Sequence, residues 1–212
     1  MKLIEKAGVP QSFRDFMAQE SAEWQPRYRD LNADERTDLL NALLTEQNGL
    51  CCYCESTLTS GEHEPDFHIE HFRPQSTYPH LALEYVNLHC SCQRTLKRGA
   101  PRHCGNAKGE WFDEKLMLSP LDPDTENRFR YLGDGNIEPA DEADDPARIT
   151  IEKLDLNGSK LQRMRKSYLN AIFPDEFDKA ALKKIVDSLM AEKEGGTLDP
   201  YPSAVKSIYR TT

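Results

Sequence analysis

The sequence has 212 residues, which is enough for one domain with a hydrophobic core. Its net charge of −9 argues against a simple nucleic-acid-binding protein, because such proteins neutralise phosphates with a basic surface. It lacks a run of about 18 apolar residues that could span a membrane, and the stretch MKLIEKAGVPQSF lacks the apolar segment of a secretory signal. We therefore expect a cytoplasmic protein without membrane contacts.

The first predicted element is a helix from Asn32 to about Asn48, within an N-terminal helical segment of residues 1–48. Asn32 can cap the helix, and Glu35 stands where a capping box requires an acidic residue. Gly49 can end the helix. One apolar face is formed by four leucines: Leu39, Leu40, Leu43 and Leu44.

The six cysteines follow within one quarter of the chain: Cys51, Cys52, Cys54, Cys90, Cys92 and Cys104. In a reducing compartment, clustered cysteines more often bind metal than form disulfides. The Cys51-x-x-Cys54 turn can present two thiolates to zinc, and the second pair must come from Cys90, Cys92, Cys104, His89 or His103. Such an ion would hold together residues 50–110, for which the sequence predicts turns, a β-hairpin and one short helix.

Two alternatives remain for these cysteines, namely buried unligated thiols and a redox pair. Both are less favoured, because the surrounding sequence is loop-like and lacks a thioredoxin-type βαβ pattern. Cys52 cannot easily join the same ion as both of its neighbours, and we interpret it as a small buried residue.

The stretch FHIEHFRPQS contains His68, Glu70, His71 and Arg73. In a strand, His68 and Glu70 share one face and His71 points to the other. A carboxylate suits a hard cation such as Mg²⁺ or Mn²⁺, and a neutral imidazole can take a proton from an attacking water. The cluster therefore suggests phosphodiester hydrolysis, while His68 is interpreted as structural.

Charge is distributed unevenly along the chain. Residues 86–109 contain no Asp or Glu but five basic side chains: Arg94, Lys97, Arg98, Arg102 and Lys108. A local basic stripe can contact phosphates even on an acidic protein. Residues 131–147 show the reverse pattern, which we interpret as a solvated acidic face.

Residues 113–212 are predicted as a loop with a hairpin, followed by helices that pack as one domain with the centre of the chain. FRYLGDGNIEP has the pattern of strand, turn and strand. A helix is predicted from about Asn157 to Ile172, with Leu161, Met164, Tyr168 and Ile172 on one face. A second is predicted from about Asp175 to Glu194, with five buried residues: Phe177, Leu182, Ile185, Val186 and Leu189.

The order of the motifs CCYCE, IEHFRP, YVNLHCSC and HCGNAKG resembles the zinc-bearing branch of the HNH endonucleases, with Glu70 in place of the usual Asp. Together with LSPLDPDTENRF and ARITIEKLDLNGSKLQRMR, these motifs are similar to HNH proteins encoded with retrons and with Septu-type anti-phage systems. The resemblance covers most of the chain. It implies an α+β fold, namely a mostly helical single domain built around a zinc-stabilised ββα-metal core at residues 49–112.

The resemblance also implies roles for individual residues. His71 matches the general base, Glu70 the carboxylate that binds the catalytic Mg²⁺ or Mn²⁺, and Asn87 the residue that fixes the loop orienting His71. Cys51 and Cys54 match the first zinc pair. Cys92 and Cys104 are preferred to Cys90 for the second, because they fit the family's motifs better.

The sequence departs from the HNH pattern after the hairpin. The second cysteine pair is not a Cys-x-x-Cys, and Gly105 follows Cys104 where simpler HNH proteins have Asn or His. The last ligand of the catalytic ion is therefore His103 or Asn106, with a slight preference for His103. Lys108 matches the family's Lys and is interpreted as a phosphate contact.

Two arginines complete the candidate nucleic-acid contacts. Arg73 can clamp a phosphate or pair with a carboxylate in a loop, and the sequence favours neither. Arg94, in the basic stretch, is predicted to contact nucleic acid.

The residues and the resemblance together predict a metal-dependent HNH endonuclease that is the effector subunit of an anti-phage defence system. The resemblance implies DNA as the substrate, and RNA such as tRNA is chemically open to the same site. The alternatives are a non-catalytic zinc module that binds nucleic acid or a partner ATPase, and a thiol redox protein.

An acidic nuclease binds its substrate weakly, so a partner is expected to supply affinity and control. The resemblance implies an ATPase encoded alongside and, in retron systems, a reverse transcriptase with its RNA–DNA product.

Overall fold

The computed structural model of the protein describes residues 1–58, 66–96, 98–173 and 178–211. Its helices are α1 Gln11–Met17, α2 Ala33–Glu46, α3 Gly105–Lys108, α4 Asp145–Lys153, α5 Ser159–Ile172, α6 Lys179–Met190 and α7 Pro202–Thr211. Its strands are β1 Phe67–His71, β2 Leu88–Cys92, β3 Phe129–Tyr131 and β4 Ile137–Pro139. Short 3₁₀ turns occur at Tyr28–Asp30, Pro79–Leu81, Tyr85–Asn87 and Thr125–Arg128. The predicted α+β class is confirmed.

Helix α2 follows its prediction closely. The side chain of Asn32 accepts a hydrogen bond from the backbone N–H of Glu35, and the Glu35 carboxylate accepts one from the N–H of Asn32. This capping box satisfies backbone donors that a helix start leaves free. The helix buries Leu39 and Leu43.

The centre of the fold is a hairpin of two antiparallel strands, β1 and β2. Their register pairs Phe67 with Cys92, Glu70 with His89, and His71 with Leu88. Helix α2 packs on β2. The side chain of Gln47, just after α2, links this helix to the backbone of Cys90 in β2. Its amide nitrogen donates to the carbonyl of Cys90 (2.9 Å), and its amide oxygen accepts from the Cys90 N–H (2.6 Å). The short helix α3 follows the hairpin in the chain.

The predicted second hairpin is confirmed as β3 and β4, which pair antiparallel. Its turn packs against α5 at Gly135, where a Cβ atom would lie 2.2 Å from the carbonyl oxygen of Gln162. Gly135 also has a positive φ of 86°, so glycine is required there on both counts. The fully buried guanidinium of Arg165 donates to the Gly135 carbonyl (2.8 Å) and fastens α5 to the turn.

The C-terminal half contains more helix than predicted. Helix α5 agrees with its predicted bounds, and Met164, predicted on the same face as Leu161, is 41% exposed. Helix α6 is shorter than predicted. It starts after Asp178, whose carboxylate caps it. Ile185 is exposed, contrary to prediction, and the predicted burial of Phe177 lies outside the described residues. Helices α1, α4 and α7 were not predicted.

The hydrophobic core draws buried residues from the N-terminal helices, the cysteine-bearing segments and the C-terminal helices. The predicted boundaries between these parts stay a prediction. Across the described ranges, we find no helix that combines the length and the apolar character needed to cross a bilayer.

Candidate metal centre and candidate active site

Four cysteine side chains from three separate segments meet in the interior. Cys51 and Cys54 belong to the turn after α2, Cys92 ends β2, and Cys104 directly precedes α3. Their Sγ atoms all lie within 4.8 Å of one another, and all four residues are buried. A backbone hydrogen bond from the Cys51 N–H to the Ser56 carbonyl (2.9 Å) closes the turn that carries the first pair. These are the four cysteines that the resemblance implies as ligands.

The cluster has the dimensions of a tetrahedral zinc–thiolate site. With Zn–S bonds of about 2.3 Å, neighbouring sulfurs in a tetrahedron lie about 3.8 Å apart. The Sγ atoms of Cys54 and Cys92 are 3.9 Å apart, and all four thiols are free. The group can therefore hold a metal ion such as zinc. Ligation of zinc by these residues stays a prediction.

The electrostatics of the cluster favour a cation. Burial raises the pKa of the Cys51 thiol, but hydrogen bonds from neighbouring thiols, that of Cys104 first, outweigh burial and hold the pKa well below its ordinary value. Burial and the neighbouring Cys51 raise the pKa of the Cys104 thiol. A thiolate is therefore favoured at Cys51, in a dry environment where a bound divalent cation would neutralise its charge.

Cys52 and Cys90 lie outside the cluster. The Sγ of Cys90 contacts the carbonyl oxygen of Leu40 in α2 at 3.6 Å. Burial raises the pKa of both thiols, so both stay protonated. The interpretation of Cys52 as a buried residue is confirmed.

His103 lies against the cysteine cluster. Its Nδ1 atom is 3.4 Å from the Sγ of Cys104 and 3.5 Å from the Sγ of Cys92. Asn106, the alternative ligand, donates from its side chain to the carbonyl of Gln93 (2.6 Å). Both residues predicted to complete the catalytic-ion site are thus occupied with other partners.

Glu70 lies buried near the end of β1 on the face it shares with His68. One carboxylate oxygen is 3.0 Å from Nζ of Lys108 and 3.1 Å from the hydroxyl of Tyr53. The other oxygen is 3.6 Å from Nε2 of His68. Burial raises the pKa of Glu70, but the hydrogen bond from His68 and the charge of Lys108 outweigh it and hold the pKa below its ordinary value. Glu70 is therefore ionised at neutral pH.

Lys108 is an internal residue. Its side chain is buried, and its ammonium donates to the carbonyls of His71 (3.0 Å) and Phe72 (3.3 Å) while it pairs with Glu70. The predicted phosphate contact would require this ammonium to leave all of these partners. The structure places it instead as the cation that neutralises Glu70 and fastens α3 to the end of β1.

His71 points to the opposite face of β1. Its Nε2 atom lies 3.1 Å from the carbonyl oxygen of Ala82, and its ring makes an edge contact with Tyr28 at 4.5 Å. A carbonyl only accepts hydrogen bonds, so the proton sits on Nε2 and the lone pair on Nδ1. Burial lowers the pKa of His71, which keeps the ring neutral at neutral pH.

Asn87 closes the loop that follows β1. Its side-chain oxygen accepts from the N–H of Arg73 (2.7 Å). Its amide nitrogen donates to the carbonyls of Arg73 and Leu81, each at 3.0 Å. Because Ala82 directly follows Leu81, these bonds fix the carbonyl that orients the His71 ring. This is the geometry that the predicted role of Asn87 requires, and the role itself stays a prediction.

The residues near Glu70 do not form a prepared site for a catalytic divalent ion. The Glu70 carboxylate already has Lys108 as its cation. A Cβ atom at Gly105, where simpler HNH proteins carry a ligand, would lie 2.4 Å from a Glu70 oxygen. Throughout the described ranges, the four cysteines are the only group of three or more possible ligands that converges. The predicted Mg²⁺ or Mn²⁺ site is therefore without support.

The two arginines predicted to contact nucleic acid lie at the surface. Arg73 forms a two-pronged ion pair with Glu114 (2.8 and 2.9 Å) and lies over the ring of Phe112. This is the second of the two alternatives open for Arg73. Arg94 is exposed just after β2, and its role is not tested by the geometry.

Three contacts of the site were missed in the sequence. Tyr53, inside the Cys-x-x-Cys turn, donates to Glu70, and the position of an aromatic residue between the two cysteines was a visible signal for it. Tyr28 and Ala82, which hold the His71 ring, are brought there by long-range folding and carried no local signal.

The amino-acid sequence is similar to that of a known Septu protein. The chain is 43% identical over 120 residues to the Septu protein PtuB of Bacillus thuringiensis. The match covers 55% of this chain and 40% of that relative, so the chain corresponds to less than half of the relative's length. No family model matches the sequence.

Proposed function

We propose that this protein is a nuclease that hydrolyses phosphodiester bonds in nucleic acid as the effector of a Septu-type anti-phage system, with His71 as the general base. The similarity to the Septu protein PtuB supports the defence role. The order of the Cys-x-x-Cys turn, Glu70–His71, Asn87 and the later cysteines supports the HNH class of nuclease.

The environment of His71 is the observation that carries the proposal. The Ala82 carbonyl holds the proton on Nε2, and Asn87 holds that stretch of backbone in place. Nδ1 is then the basic atom, and the hydrogen bonds among the described residues give it no protein partner. A neutral imidazole that is oriented through one nitrogen and keeps its lone pair on the other is what general-base catalysis requires.

In the proposed reaction, Nδ1 of His71 takes the proton of a water that attacks the phosphorus atom. The P–O bond to the leaving sugar oxygen breaks, and that oxygen takes a proton from solvent water. Burial is the main cause of the lowered pKa of His71 and keeps the ring neutral before the reaction, with a smaller contribution from the positive charge of Lys108. Glu70 fixes Lys108 through their ion pair. We assign no step to a divalent ion, because the residues around Glu70 do not fit one.

The cysteine cluster has a structural part in this proposal. Zinc held by Cys51, Cys54, Cys92 and Cys104 would join the turn after α2, the end of β2 and the start of α3. These segments carry Tyr53 and lead into Lys108, both of which contact Glu70. The ion would thus stabilise the base of the site without touching the substrate.

Partners are expected to supply most of the affinity for the substrate. A net charge of −9 leaves few cations to neutralise phosphates. We propose an ATPase encoded alongside as the partner and, in a retron setting, a reverse transcriptase with its RNA–DNA product. DNA is the first candidate substrate, and RNA such as tRNA is the second.

One observation favours a second candidate function, a non-catalytic zinc module that binds nucleic acid or a partner. The Glu70 and His71 side chains leave β1 on opposite faces, and their side chains share no hydrogen-bond partner in the described ranges. A purely structural Glu70–Lys108 pair would have this geometry.

Cleavage assays distinguish the two functions. The protein, purified with the products of its neighbouring genes, is incubated with DNA and with total RNA, each with Mg²⁺ and with chelator. The His71→Ala variant should lose cleavage and keep its metal content. The matched control is His80→Ala, which removes an exposed histidine from the same loop. Cleavage by His71→Ala at the wild-type rate would reject the assignment of the base.

The pH dependence of cleavage gives an independent check. Burial lowers the pKa of His71 below its ordinary 6.5, so the reactive neutral form dominates above that value. The rate should therefore be flat through neutral pH and fall only as the pH drops below 6.5. An acid limb above pH 6.5 would contradict the environment described for His71.

A further inference from the structure

A cavity of about 640 Å³ lies beside the cysteine cluster, between α5 and the segments around Leu58, Gln93 and His103. Cavities of about 300–1,000 Å³ typically hold small ligands. Residues that contact the side chains of Glu70 and His71 are not among those that line it. The cavity is therefore separate from the candidate active site.

One wall of the cavity presents an unpartnered histidine nitrogen. His103 is 4% exposed, and its Nε2 atom is buried without a hydrogen-bond partner in the described ranges. The other nitrogen, Nδ1, faces the sulfurs of Cys92 and Cys104. The tautomer of the ring decides whether Nε2 donates or accepts a hydrogen bond. The wall thus offers a buried polar atom, which costs free energy unless a ligand forms a hydrogen bond with it.

The opposite wall presents a second unpartnered polar atom. The hydroxyl of Tyr168 in α5 is buried and lacks a hydrogen-bond partner among the described residues, and Tyr168 lines the same cavity. Its ring packs edge-on against Tyr201 at 5.7 Å, which also lines the cavity. The two rings provide an aromatic surface with a hydroxyl at one end.

A cation and an exposed apolar side chain follow on the same face of α5. Lys160, Met164 and Tyr168 are spaced four residues apart, so they align along one side of the helix. Met164 is 41% exposed, which is unusual for a methionine in a cavity wall. The face thus carries a positive charge at one end, an apolar side chain in the middle and an aromatic ring at the other end.

We propose that this cavity binds a nucleotide. The base would lie against Met164 and Tyr168, form a hydrogen bond with Nε2 of His103, and contact the Tyr168 hydroxyl, while its phosphate would lie near Lys160. Aromatic and apolar contacts to the base with a cation for the phosphate are the usual elements of such sites. The nucleotide can be free in solution or the end of a single strand. Binding does not depend on cleavage by His71.

Calorimetric titrations test the proposal on the full chain with its metal content intact. The probes are the four ribonucleoside monophosphates, the corresponding nucleosides, and short single strands of DNA and RNA. At least one monophosphate should bind, and its nucleoside should bind more weakly. Binding of monophosphates identifies a site for free nucleotides, whereas binding of strands alone identifies a site for strand ends.

Three variants locate the ligand. Met164→Trp fills the mouth of the cavity from an exposed position and should weaken binding by about tenfold or more. Tyr168→Phe removes a hydroxyl without a protein partner and should weaken binding about fivefold without lowering stability. Lys160→Ala should weaken the monophosphate about fivefold but leave the nucleoside unchanged. The matched control is Lys166→Ala, an exposed lysine of α5 outside the cavity.

Failure of every probe to bind would overturn the proposal. So would binding that is unchanged by Met164→Trp and Tyr168→Phe, because the ligand would then sit elsewhere. If Met164→Trp instead prevents association with a partner protein while no nucleotide binds, the cavity is a protein-docking site and the proposal is wrong. Each of these results leaves the cleavage assays on His71 unaffected, so the two proposals fail separately.

Discussion

The cysteine cluster and the Glu70–Lys108 pair are two polar centres at opposite ends of the same short hairpin, and they are built differently. At the cysteine cluster, four sulfur atoms converge within 4.8 Å of one another, and their hydrogen bonds among the described residues reach serine hydroxyls, His103 and one another. At Glu70, the carboxylate already has a cation, the ammonium of Lys108 at 3.0 Å. The first centre is a set of converging ligand atoms that could hold a metal ion, whereas the second is neutral within the protein itself.

This difference shows why similar ligand residues in a sequence do not imply similar sites. Thiols that converge in a dry interior have few partners other than metal. A buried carboxylate can be satisfied by any nearby donor, and here Lys108, Tyr53 and His68 fill that role. Convergence of donors without a competing cation is therefore the feature that separates a candidate metal site from an internal ion pair.

The largest expected effect is at the cysteine cluster. Cys54→Ser should lower metal content and reduce the free energy of unfolding by about 4 kcal/mol, which is roughly a quarter or more of the binding energy of a structural zinc ion. Metal analysis and thermal unfolding measure the two effects. Cys90→Ser is the matched control, since Cys90 is buried but outside the cluster. Equal metal content in both variants would show that the cluster does not bind metal.

The ion pair provides the next largest effect. Lys108→Met leaves Glu70 buried without its cation and should destabilise the fold by about 3 kcal/mol at neutral pH. The double variant Glu70→Gln/Lys108→Met should recover part of this loss, because no buried charge remains. Denaturant unfolding measures both. If the double variant is as unstable as the single one, Lys108 acts through packing and not through charge.

The same pair has a pH dependence of defined sign. The pKa of Glu70 in the fold lies below its ordinary 4.5, so the stabilisation from its ionised form is complete above 4.5. It is lost as the pH falls through the lower pKa of the folded state. The stability difference between wild type and Lys108→Met should shrink over that acidic range.

Asn87 links stability to the proposed chemistry. Asn87→Ala removes three hydrogen bonds to the backbone and should cost about 2 kcal/mol. It should also reduce cleavage, because the Ala82 carbonyl that orients His71 is no longer fixed. Asn157→Ala is the control, since Asn157 bonds both backbone groups of Ile137 in β4. Equal loss of cleavage in both variants would reduce the role of Asn87 to general stability.

The smallest effect is expected at the surface pair of Arg73 and Glu114. Glu114→Gln removes an exposed ion pair and should change stability by only about 0.5 kcal/mol. It should nevertheless strengthen nucleic-acid binding, because the Arg73 guanidinium becomes available to phosphate. Fluorescence anisotropy with a labelled duplex measures the change. Unaltered binding in both Glu114→Gln and Arg73→Ala would remove Arg73 from the candidate interface.

Local patterns in the sequence predicted the parts of the fold that local interactions determine. The capping residues Asn32 and Glu35 defined the start of α2. The turn residues around Gly135 defined the second hairpin. The spacing of Cys51 and Cys54 indicated one half of a metal site. The choice of Cys92 and Cys104 for the other half came from the resemblance to the HNH endonucleases and not from local chemistry.

Contacts between distant segments could not be inferred in this way. Lysine is normally exposed, and the burial of Lys108 follows from the close approach of α3 to Glu70 at Gly105. His103 was assigned to Glu70 because of its sequence position, but the fold brings it to Cys92 and Cys104. Met164 has the spacing of a core residue, yet it borders a cavity and stays exposed.

Strand β2 has a further consequence for how the protein would respond to its surroundings. Asn87 directly precedes this strand and Cys92 ends it, so a span of about 17 Å joins the loop-closing amide to the thiol cluster. If the cluster holds zinc, loss of the ion would loosen this strand at Cys92, and the Asn87 contacts that orient the His71 ring would be less well fixed. Protein made without zinc would then have a misaligned His71 ring and should lack the proposed cleavage.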